Sequence, residues 1–482
     1  MTYSKKARFA DVKIDKFSNK GNGCGQFSRV DGSTSDAEVA FTIPGDYVHA
    51  ELFSKKRGKW QGQMERVIEP SSDRIDPKCK HFGVCGGCRW QQMSYSTQLK
   101  YKEALVRDLF APYLLSDTIF YPIEGSALEW NYRNKMEFSF SSDLNRNKYL
   151  GLIKNSSKGR VLNLTECHLV NPWFMDTVQT VRDWWEASQL EAYHMHKNTG
   201  SLRTLILREG MKTGDRLVML TVSGNPDYAL QRHHLESFVS TLHQVAEPKT
   251  LNSKLNIFLR IQQVAQGMTT NFYEMLLYGS DYIEEHLEIL MSPEETPVRF
   301  RFKISPSAFF QPNVSSAERF YSLAIQLSGI NDQTVIYDLF CGTGTLGICA
   351  SKKAKQVIGI ELSPEAALDA RQNAILNKCD NVTILSGAVR HVLSQISEEK
   401  KLPAPDVVFI DPPRSGLDPN ALQQVIDLNP KKILFISCNP STQAANISEL
   451  IKAGYKIKAI QPFDQFPQTF HIENVVLLEQ NK

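Results

Sequence analysis

Cys438 stands where a nucleophile could act, just past the end of a short apolar run. Residues 431–436 read KKILFI, which is typical of a buried strand, and Asn439-Pro440 ends that strand. Ligands of open α/β sheets bind beside the carboxyl ends of the strands. A thiolate there could attack an electrophilic carbon, although a lone cysteine is more often a small buried hydrophobic residue. Cys438 is therefore a candidate nucleophile that needs a cofactor loop and a base nearby.

A glycine-rich loop supplies the candidate cofactor site. The sequence DLFCGTGTLG at 338–347 follows an apolar strand, and Glu361 ends the next strand. This pattern fits either a nicotinamide dinucleotide or S-adenosylmethionine, because an acidic residue at the second strand can bind a ribose diol of both. Asp338 would repel a pyrophosphate, and the Asp-Pro-Pro that starts at Asp411 resembles a motif of class I methyltransferases. Both features favour S-adenosylmethionine.

A cluster of cysteines indicates a metal site. Cys79, Cys85 and Cys88 lie close together, and paired glycines between the last two would let the backbone fold around a metal. We expect Cys167 to be the fourth ligand. Four thiolates suit either zinc or a [4Fe–4S] cluster, and the spacing does not distinguish between them.

Three regions must position these residues. Residues 1–69 contain short alternating runs separated by Gly and Pro turns, which predicts an OB-like β-barrel. Residues 70–300 predict an α+β central domain that carries the cysteine cluster and a helix at 96–115, which could pack on the catalytic domain. Residues 301–482 alternate strands with helices, which is typical of a doubly wound, Rossmann-like α/β sheet, here with a late hairpin strand.

Basic residues are concentrated in the first third of the chain. Residues 1–160 hold 26 lysines and arginines against 18 acidic residues, whereas the remainder is slightly acidic. The segment 55–60 combines four basic residues with Trp60, which suits contact with phosphates and a stacked base. Strands predicted within 130–168, the first at 131–140, carry a second basic group: Arg133, Lys135, Lys154, Lys158 and Arg160. This distribution indicates a polyanion such as RNA as the partner.

Composition narrows the class of protein further. With 482 residues, 42% hydrophobic and 22% charged, the chain has the make-up of a globular protein of several domains. It contains no apolar run of about 20 residues, and its first residues have no apolar signal-peptide segment, so we expect no membrane association. Nine unevenly spaced cysteines argue against a disulfide framework. A reducing compartment, the cytoplasm, is therefore expected.

Six separated motifs extend this interpretation. They occur in the order seen in the RNA uracil-C5 methyltransferases: Cys-x5-Cys-x2-Cys at 79–88, FFQPN at 309–313, DLFCGTG at 338–344, DPPR at 411–414, SCNP at 437–440 and HIE at 471–473. The chain resembles that family over nearly its whole length. It is most similar to the branch acting on ribosomal RNA, which joins an RNA-binding TRAM barrel to an iron–sulfur central domain.

The resemblance implies a reaction in which Cys438 adds to C6 of uracil, so that C5 becomes nucleophilic and accepts a methyl group. Glu473 would then remove the C5 proton, while His471 would be structural. Phe309 would either stack near the flipped uracil or pack in the core. The residues implied to contact S-adenosylmethionine are Gln311, Phe340, Thr345, Glu361 and Asp411; Thr345 stands where some members of the family carry Asn.

The resemblance also implies the partners. The four cysteines would hold a [4Fe–4S] cluster, and the substrate would be an unpaired uridine, because the base must leave its stack to reach the thiolate. We expect 23S ribosomal RNA as substrate and 5-methyluridine as product, with a monomeric protein and no obligate protein partner. A tRNA uridine methyltransferase and a non-catalytic RNA-binding or assembly factor are the alternatives.

Overall fold

The computed structural model describes residues 8–29, 31–155, 157, 159–248, 250, 252–264, 270–399 and 402–481. Lys158 of the predicted basic group lies outside them. The strands are β1 Arg8–Phe17, β2 Gly23–Ser28, β3 Thr34–Ala40, β4 Tyr47–Lys56, β5 Lys59–Glu69, β6 Ile119–Phe120, β7 Lys135–Ser142, β8 Lys148–Ile153, β9 Val161–Asn163, β10 Leu202–Glu209, β11 Arg216–Ser223, β12 Leu255–Gln263, β13 Asn271–Tyr278, β14 Ile283–Ile289, β15 Val298–Ile304, β16 Val335–Leu339, β17 Gln356–Glu361, β18 Val382–Ser386, β19 Val407–Ile410, β20 Lys432–Ser437, β21 Tyr455–Phe463 and β22 Glu473–Gln480. The α-helices are α1 Tyr95–Phe110, α2 Pro172–Ala187, α3 Arg232–Val245, α4 Val314–Ser328, α5 Thr345–Ala350, α6 Pro364–Leu376, α7 Val389–Glu399, α8 Pro419–Leu428 and α9 Pro440–Lys452.

The first five strands form a closed barrel in the order β1-β2-β3-β5-β4. Alternating apolar side chains fill it, among them Val12, Val39 and Val48. The basic segment predicted at 55–60 is a hairpin in which β4 and β5 meet through a tight turn at Arg57-Gly58, both with positive φ. Its lysines therefore lie at the exposed tip of the barrel.

A seven-stranded sheet follows, in the order β13-β12-β11-β10-β7-β8-β9. Helices α2 and α3 pack on one face through a cluster of large apolar side chains that includes Trp185 and Phe238. The predicted strand 131–140 was wrong at its start, because the strand begins at Lys135. Asn131 has a positive φ and its N–H donates to the carbonyl of His168 at 2.8 Å, which diverts the chain before β7.

The C-terminal sheet has eight strands in the order β18-β17-β16-β19-β20-β22-β21-β6. Strands β16 to β20 are parallel, and β22 runs antiparallel between β20 and β21. Helices α4 and α5 cover one face, whereas α1, α7, α8 and α9 cover the other. The strand order reverses between β16 and β19, and such a reversal opens a crevice at the carboxyl ends of the strands.

Helix α1 lies against the C-terminal sheet although it comes early in the chain. It begins at Tyr95 and gives way to a 3-10 turn at Ala111–Tyr113, because Pro112 cannot continue an α-helix; the predicted helix at 96–115 was therefore too long. Val106 and Phe110 pack with the strands of the C-terminal sheet. No helix among the described residues is long and apolar enough to cross a membrane.

A buried ion pair fixes the residues between β21 and β22, which we name the 464–472 segment. Lys102 Nζ of α1 lies 2.7 Å from Asp464 Oδ1, and neither side chain is exposed. Gln98 Nε2 donates to Gln468 Oε1 at 3.0 Å, and the Tyr132 hydroxyl donates to the carbonyl of Pro467 at 3.0 Å. The segment is thus held from the side by α1 and by the chain before β7.

We expect Lys102→Met to lower the free energy of unfolding by about 3–5 kcal/mol, because it leaves the Asp464 carboxylate buried without its partner. Urea unfolding monitored by tryptophan fluorescence measures the change, since Trp90 lies beside Lys102. Adding Asp464→Leu should recover part of the loss.

The matched control is Lys452→Met, which removes an exposed ion pair with Glu449 of similar length, 2.7 Å. Its effect should stay within about 0.5 kcal/mol. Equal effects at both lysines would show that burial of the Lys102 pair contributes nothing.

Candidate active site

A cavity of about 1990 Å³ opens at the carboxyl ends of β16, β17, β19 and β20 and extends to the central sheet. All the predicted catalytic and cofactor residues line it: Gln311, Phe340, Thr345, Glu361, Asp411, Cys438 and Glu473. The structure therefore brings together residues that are separated by up to 162 positions in the sequence.

The glycine-rich loop after β16 is shaped by hydrogen bonds to two carboxylates. Asp338 Oδ2 accepts from the N–H of Gly347 at 2.9 Å, and Glu361 Oε2 accepts from the N–H of Gly342 at 2.9 Å. Phe340 and Gly342 have positive φ angles of 64° and 55°, so the chain turns sharply just after the strand. A Cβ added at Gly342 would meet no atom within 4 Å, which leaves room for a ligand against the loop.

The charge of this loop fits a cationic cofactor. The pKa of Asp338 is raised to about 7, chiefly by burial and also by the charges of Asp411 and Glu361. Three carboxyl groups around one loop would repel a pyrophosphate but attract the sulfonium of S-adenosylmethionine. Thr345 helps to shape the loop, because its hydroxyl lies 2.9 Å from the hydroxyl of Thr343.

Cys438 follows directly on β20, and its backbone is fixed on both sides. The N–H of Asn439 donates to the Ser437 hydroxyl at 3.1 Å, and the Asn439 side chain donates to the carbonyl of Arg414 at 2.9 Å. The pKa of Cys438 is raised to about 11, chiefly by burial and also by the charge of Glu473, although the charge and hydrogen bond of Arg414 lower it. The thiol is therefore protonated at neutral pH in the free protein, even with Arg414 beside it, and the thiolate must be stabilised further by a bound substrate.

Strand pairing places Cys438 beside Glu473. Ser437 of β20 pairs with Asn474 of β22, so the next residue of one strand faces the preceding residue of the other. Gln443 of α9 locks this register, because its side-chain amide donates to the carbonyls of Phe435 and Asn474 at 2.8 and 3.1 Å. A thiol and a carboxyl group consequently share one end of a rigid strand pair.

Two buried carboxyl groups face the thiol. Burial raises the pKa of Glu473 well above its ordinary value, and the nearby Asp411 raises it further. Burial also raises the pKa of Asp411. Gln311 Nε2 lies 3.5 Å from Asp411 Oδ2, and the side chain of Gln465 donates to Gln311 Oε1 at 3.1 Å. The pair can hold a proton at the site and release it when charge develops nearby.

Several residues of the site were not predicted. Gln465 of the 464–472 segment orients Gln311, and Asn134 donates from its side chain to the carbonyl of Gln311 at 2.9 Å. Arg414 stands within the quoted DPPR motif, but its contact with Cys438 was not foreseen. The DPPR motif was therefore the signal for Arg414, whereas nothing in the sequence indicated Gln465 or Asn134.

Two aromatic residues of the site can now be placed. Phe309 is 65% exposed and lines the cavity, so the alternative that it packs in the core was wrong. His471 packs against the ring of Phe470, with centroids 4.1 Å apart, and burial lowers its pKa to about 3. A neutral, packed imidazole is consistent with a structural part for His471.

The four predicted metal-binding cysteines lie together at the edge of the central sheet. Cys85 bridges to the backbone of Lys154, and Cys88 and Cys167 pack with the central core. The pKa of Cys167 is raised to about 11, chiefly by burial and also by the charges of Cys85 and Cys79. Among the described residues, no group of three or more His, Cys, Asp or Glu side chains is arranged to hold a metal ion.

Comparisons with known families and sequences find RNA methyltransferases. A family model described as tRNA (Uracil-5-)-methyltransferase matches residues 243–481. The chain is 53% identical to a protein of Protochlamydia amoebophila named as an uncharacterized RNA methyltransferase, with 92% of this chain and 99% of that protein covered. It is 33% identical to a protein of the same description in Caldanaerobacter subterraneus subsp. tengcongensis, with 99% of this chain and 100% of that protein covered.

A solved structure shares the fold. The tRNA (uracil-54, C5)-methyltransferase of Pyrococcus abyssi, in complex with S-adenosyl-L-homocysteine, superposes with a TM-score of 0.68 at 21% identity and covers 97% of this chain and 100% of its own. The matching family model, the two relatives and the carboxylate-lined loop agree on one assignment. The chain belongs to the RNA uracil-5 methyltransferases, which are S-adenosylmethionine-dependent enzymes.

Proposed function

We propose that the chain methylates C5 of a uridine in RNA through a covalent bond between Cys438 and C6, giving 5-methyluridine. The observation that carries this proposal is the strand register that sets Cys438 opposite Glu473 at the wall of the cavity. Gln311, Phe340, Thr345, Glu361 and Asp411 line the same cavity and would hold S-adenosylmethionine, which supplies an electrophilic methyl group when bound.

Cys438 opens the reaction. Its thiolate, stabilised by Arg414, forms a bond to C6, and the electrons of the C5–C6 double bond move towards O4. C5 would then form the bond to the methyl group while the bond from that methyl group to the sulfur of S-adenosylmethionine breaks, so that S-adenosylhomocysteine would leave. Gln311 and Asp411 lie beside this point and would orient the uracil edge.

Glu473 completes the reaction. As a carboxylate it takes the proton from C5, the C5–C6 double bond forms again, and the bond from C6 to the Cys438 sulfur breaks. The raised pKa of Glu473 suits this step, because a buried carboxylate is a stronger base than an exposed one. The negative charge of Asp411 raises the pKa of Glu473 and so favours the transfer of the C5 proton to it.

We expect wild-type protein to form a stable covalent complex with RNA that contains 5-fluorouridine, because fluorine at C5 cannot be removed as a proton. Cys438→Ala should form no complex and transfer no methyl group. Glu473→Gln should retain the bond to C6 and accumulate the complex with ordinary uridine RNA. Denaturing gel electrophoresis with mass spectrometry of the adducted peptide measures each outcome.

Cys24→Ala serves as the control, because Cys24 is a buried thiol of the barrel and does not line the cavity. An undiminished adduct with Cys438→Ala would contradict the proposed nucleophile. Clearance of the adduct at the wild-type rate by Glu473→Gln would contradict the proposed base.

The four cysteines are proposed as ligands of a [4Fe–4S] cluster that orders the RNA-binding part of the chain. Four free thiols in one region of the fold are a suitable donor set for it. Gly86 approaches the carbonyl of Ile153 so closely that an added Cβ would lie 2.7 Å from the oxygen. The cysteine loop is thus seated on β8, next to the basic residues of the central sheet.

Anaerobic reconstitution with iron and sulfide should give a brown protein with visible absorption and about four irons per chain. Cys167→Ser should lose most of that absorption, whereas Cys379→Ser, a buried cysteine of the C-terminal domain, should not. A colourless protein that binds one zinc and is fully active would replace the cluster with a zinc site.

Ribosomal RNA, most specifically 23S rRNA, is proposed as the substrate, and tRNA is the second candidate. The combination of an N-terminal closed barrel, proposed to be a TRAM domain, with a cysteine cluster resembles the ribosomal branch of the family. The description of the matching family model and the similarity to the P. abyssi tRNA (uracil-54, C5)-methyltransferase favour tRNA. The exposed lysines at the barrel tip suit phosphate contact with either RNA.

Mapping of 5-methyluridine in a strain that lacks the gene distinguishes these substrates. We expect a position in 23S rRNA to lose its methyl group and to regain it with wild-type protein but not with Cys438→Ala. Loss confined to tRNA would establish the second candidate instead.

The domain boundaries, the oligomeric state and the cellular location are also proposed. We propose domains at 1–69, 70–300 and 301–482, acting as a monomer without an obligate protein partner. A reducing, cytoplasmic location is proposed because all nine cysteines are free thiols.

A further inference from the structure

Strand β13 exposes an unusual number of apolar side chains. It is the edge strand of the central sheet, and five of its eight residues are large, hydrophobic and more than 40% exposed: Phe272, Tyr273, Met275, Leu276 and Tyr278. Exposed apolar groups of this extent mark a binding surface rather than ordinary surface variation.

One end of β13 belongs to the cavity that contains Cys438. Phe272, Tyr273 and Leu276 line that cavity, whereas Met275 and Tyr278 do not. Tyr278 instead packs on His243 of α3, with ring centroids 4.3 Å apart. Successive side chains of a strand point to opposite faces of its sheet, so Phe272 and Leu276 share the face of Arg260, whereas Tyr273 shares the other face with Met275.

The size of the cavity requires more than a cofactor and one base. Sites for drug-sized ligands enclose about 300–1,000 Å³, and this cavity has a volume of about 1990 Å³. A cavity of this size has room for more than S-adenosylmethionine and a flipped uracil, and β13 forms part of its wall. The nucleotides on either side of the target uridine are the next groups that must enter.

The chemistry of this wall suits single-stranded RNA. Arg260 lies over the ring of Phe272 at 3.8 Å, which supports the ring and adds positive charge. The basic residues Arg133, Lys135 and Arg208 line the same part of the cavity, together with the acidic residues Glu137, Glu274, Asp281 and Asp369. Aromatic rings interleaved with basic groups bind bases by stacking and phosphates by charge.

We propose that Phe272, with Leu276 beside it on the same face of β13, forms a stacking platform for a base that flanks the target uridine, with Arg260 positioned to contact the adjoining phosphate. The inference rests on the proposed function, because it places the neighbours of the uridine that Cys438 attacks. Continuity with the active-site cavity and the basic wall favour RNA over a second copy of the chain or a protein strand added to the edge.

The test uses the full-length protein and fluorescein-labelled, single-stranded oligoribonucleotides with one central uridine. One probe has adenosines on both sides of the uridine, and the other has abasic nucleotides there. Fluorescence anisotropy should show that wild-type protein prefers the adenosine probe. Phe272→Ala should weaken binding of that probe about tenfold, while the abasic probe should be bound as by the wild type.

Met275→Ala is the matched control, because Met275 is 49% exposed on the same strand but does not line the cavity. Phe272→Trp should retain affinity and Phe272→Leu should not, which separates stacking from simple apolar contact. Unchanged binding of S-adenosylhomocysteine, measured by calorimetry, would show that the variants remain folded.

Equal losses on both probes, or no loss on either, would overturn the platform. A change in oligomeric state on light scattering, without a change in probe binding, would assign the edge to contact between copies and also overturn it. The 5-fluorouridine adduct with Cys438 is measured separately. An adduct without platform effects leaves the proposed reaction intact, whereas platform effects without an adduct refute the reaction and retain the RNA surface.

Discussion

The active site depends on the antiparallel pairing of β20 with β22. Parallel neighbours such as β19 and β20 bring the carboxyl ends of two strands together. The antiparallel pair β20 and β22 instead sets the end of one strand against the beginning of the other. Cys438 and Glu473 are thereby held side by side on backbone that cannot shift without breaking the ladder of hydrogen bonds. A one-residue slip would turn every side chain of β22 to the opposite face, so the buried amide of Gln443 protects the geometry as well as the fold.

The 464–472 segment joins this strand pair to the rest of the chain. α1 holds it through Lys102 and Gln98, the chain before β7 holds it through Tyr132, and the barrel reaches it where Gly21 lies against Phe470. Gln465 of the same segment donates a hydrogen bond from its side chain to Gln311 in the cavity. The barrel, the chain before β7 and the C-terminal sheet thus meet on one short stretch that leads directly into Glu473.

Features that depend on residues close together along the chain could be predicted from the sequence. The loop at 338–347 and Cys438 sit in strand–turn–helix patterns that are visible over about ten residues, so their place at the sheet edge could be predicted. Glu473 was found by resemblance, because its partner is set by strand pairing. Lys102 and Asn134 looked like ordinary polar residues, since nothing near them in the chain reveals partners more than a hundred residues away.

The distance along the chain between Lys102 and Asp464 also bears on how the protein is made. The two residues are 362 positions apart, which at a synthesis rate of about 5–20 residues per second separates their emergence by about 20 to 70 s. Throughout that interval the lysine face of α1 has no buried partner and must remain hydrated. The helix can therefore bury Lys102 only after the 464–472 segment has left the ribosome, so the active site is completed after the barrel and the central sheet have been synthesised.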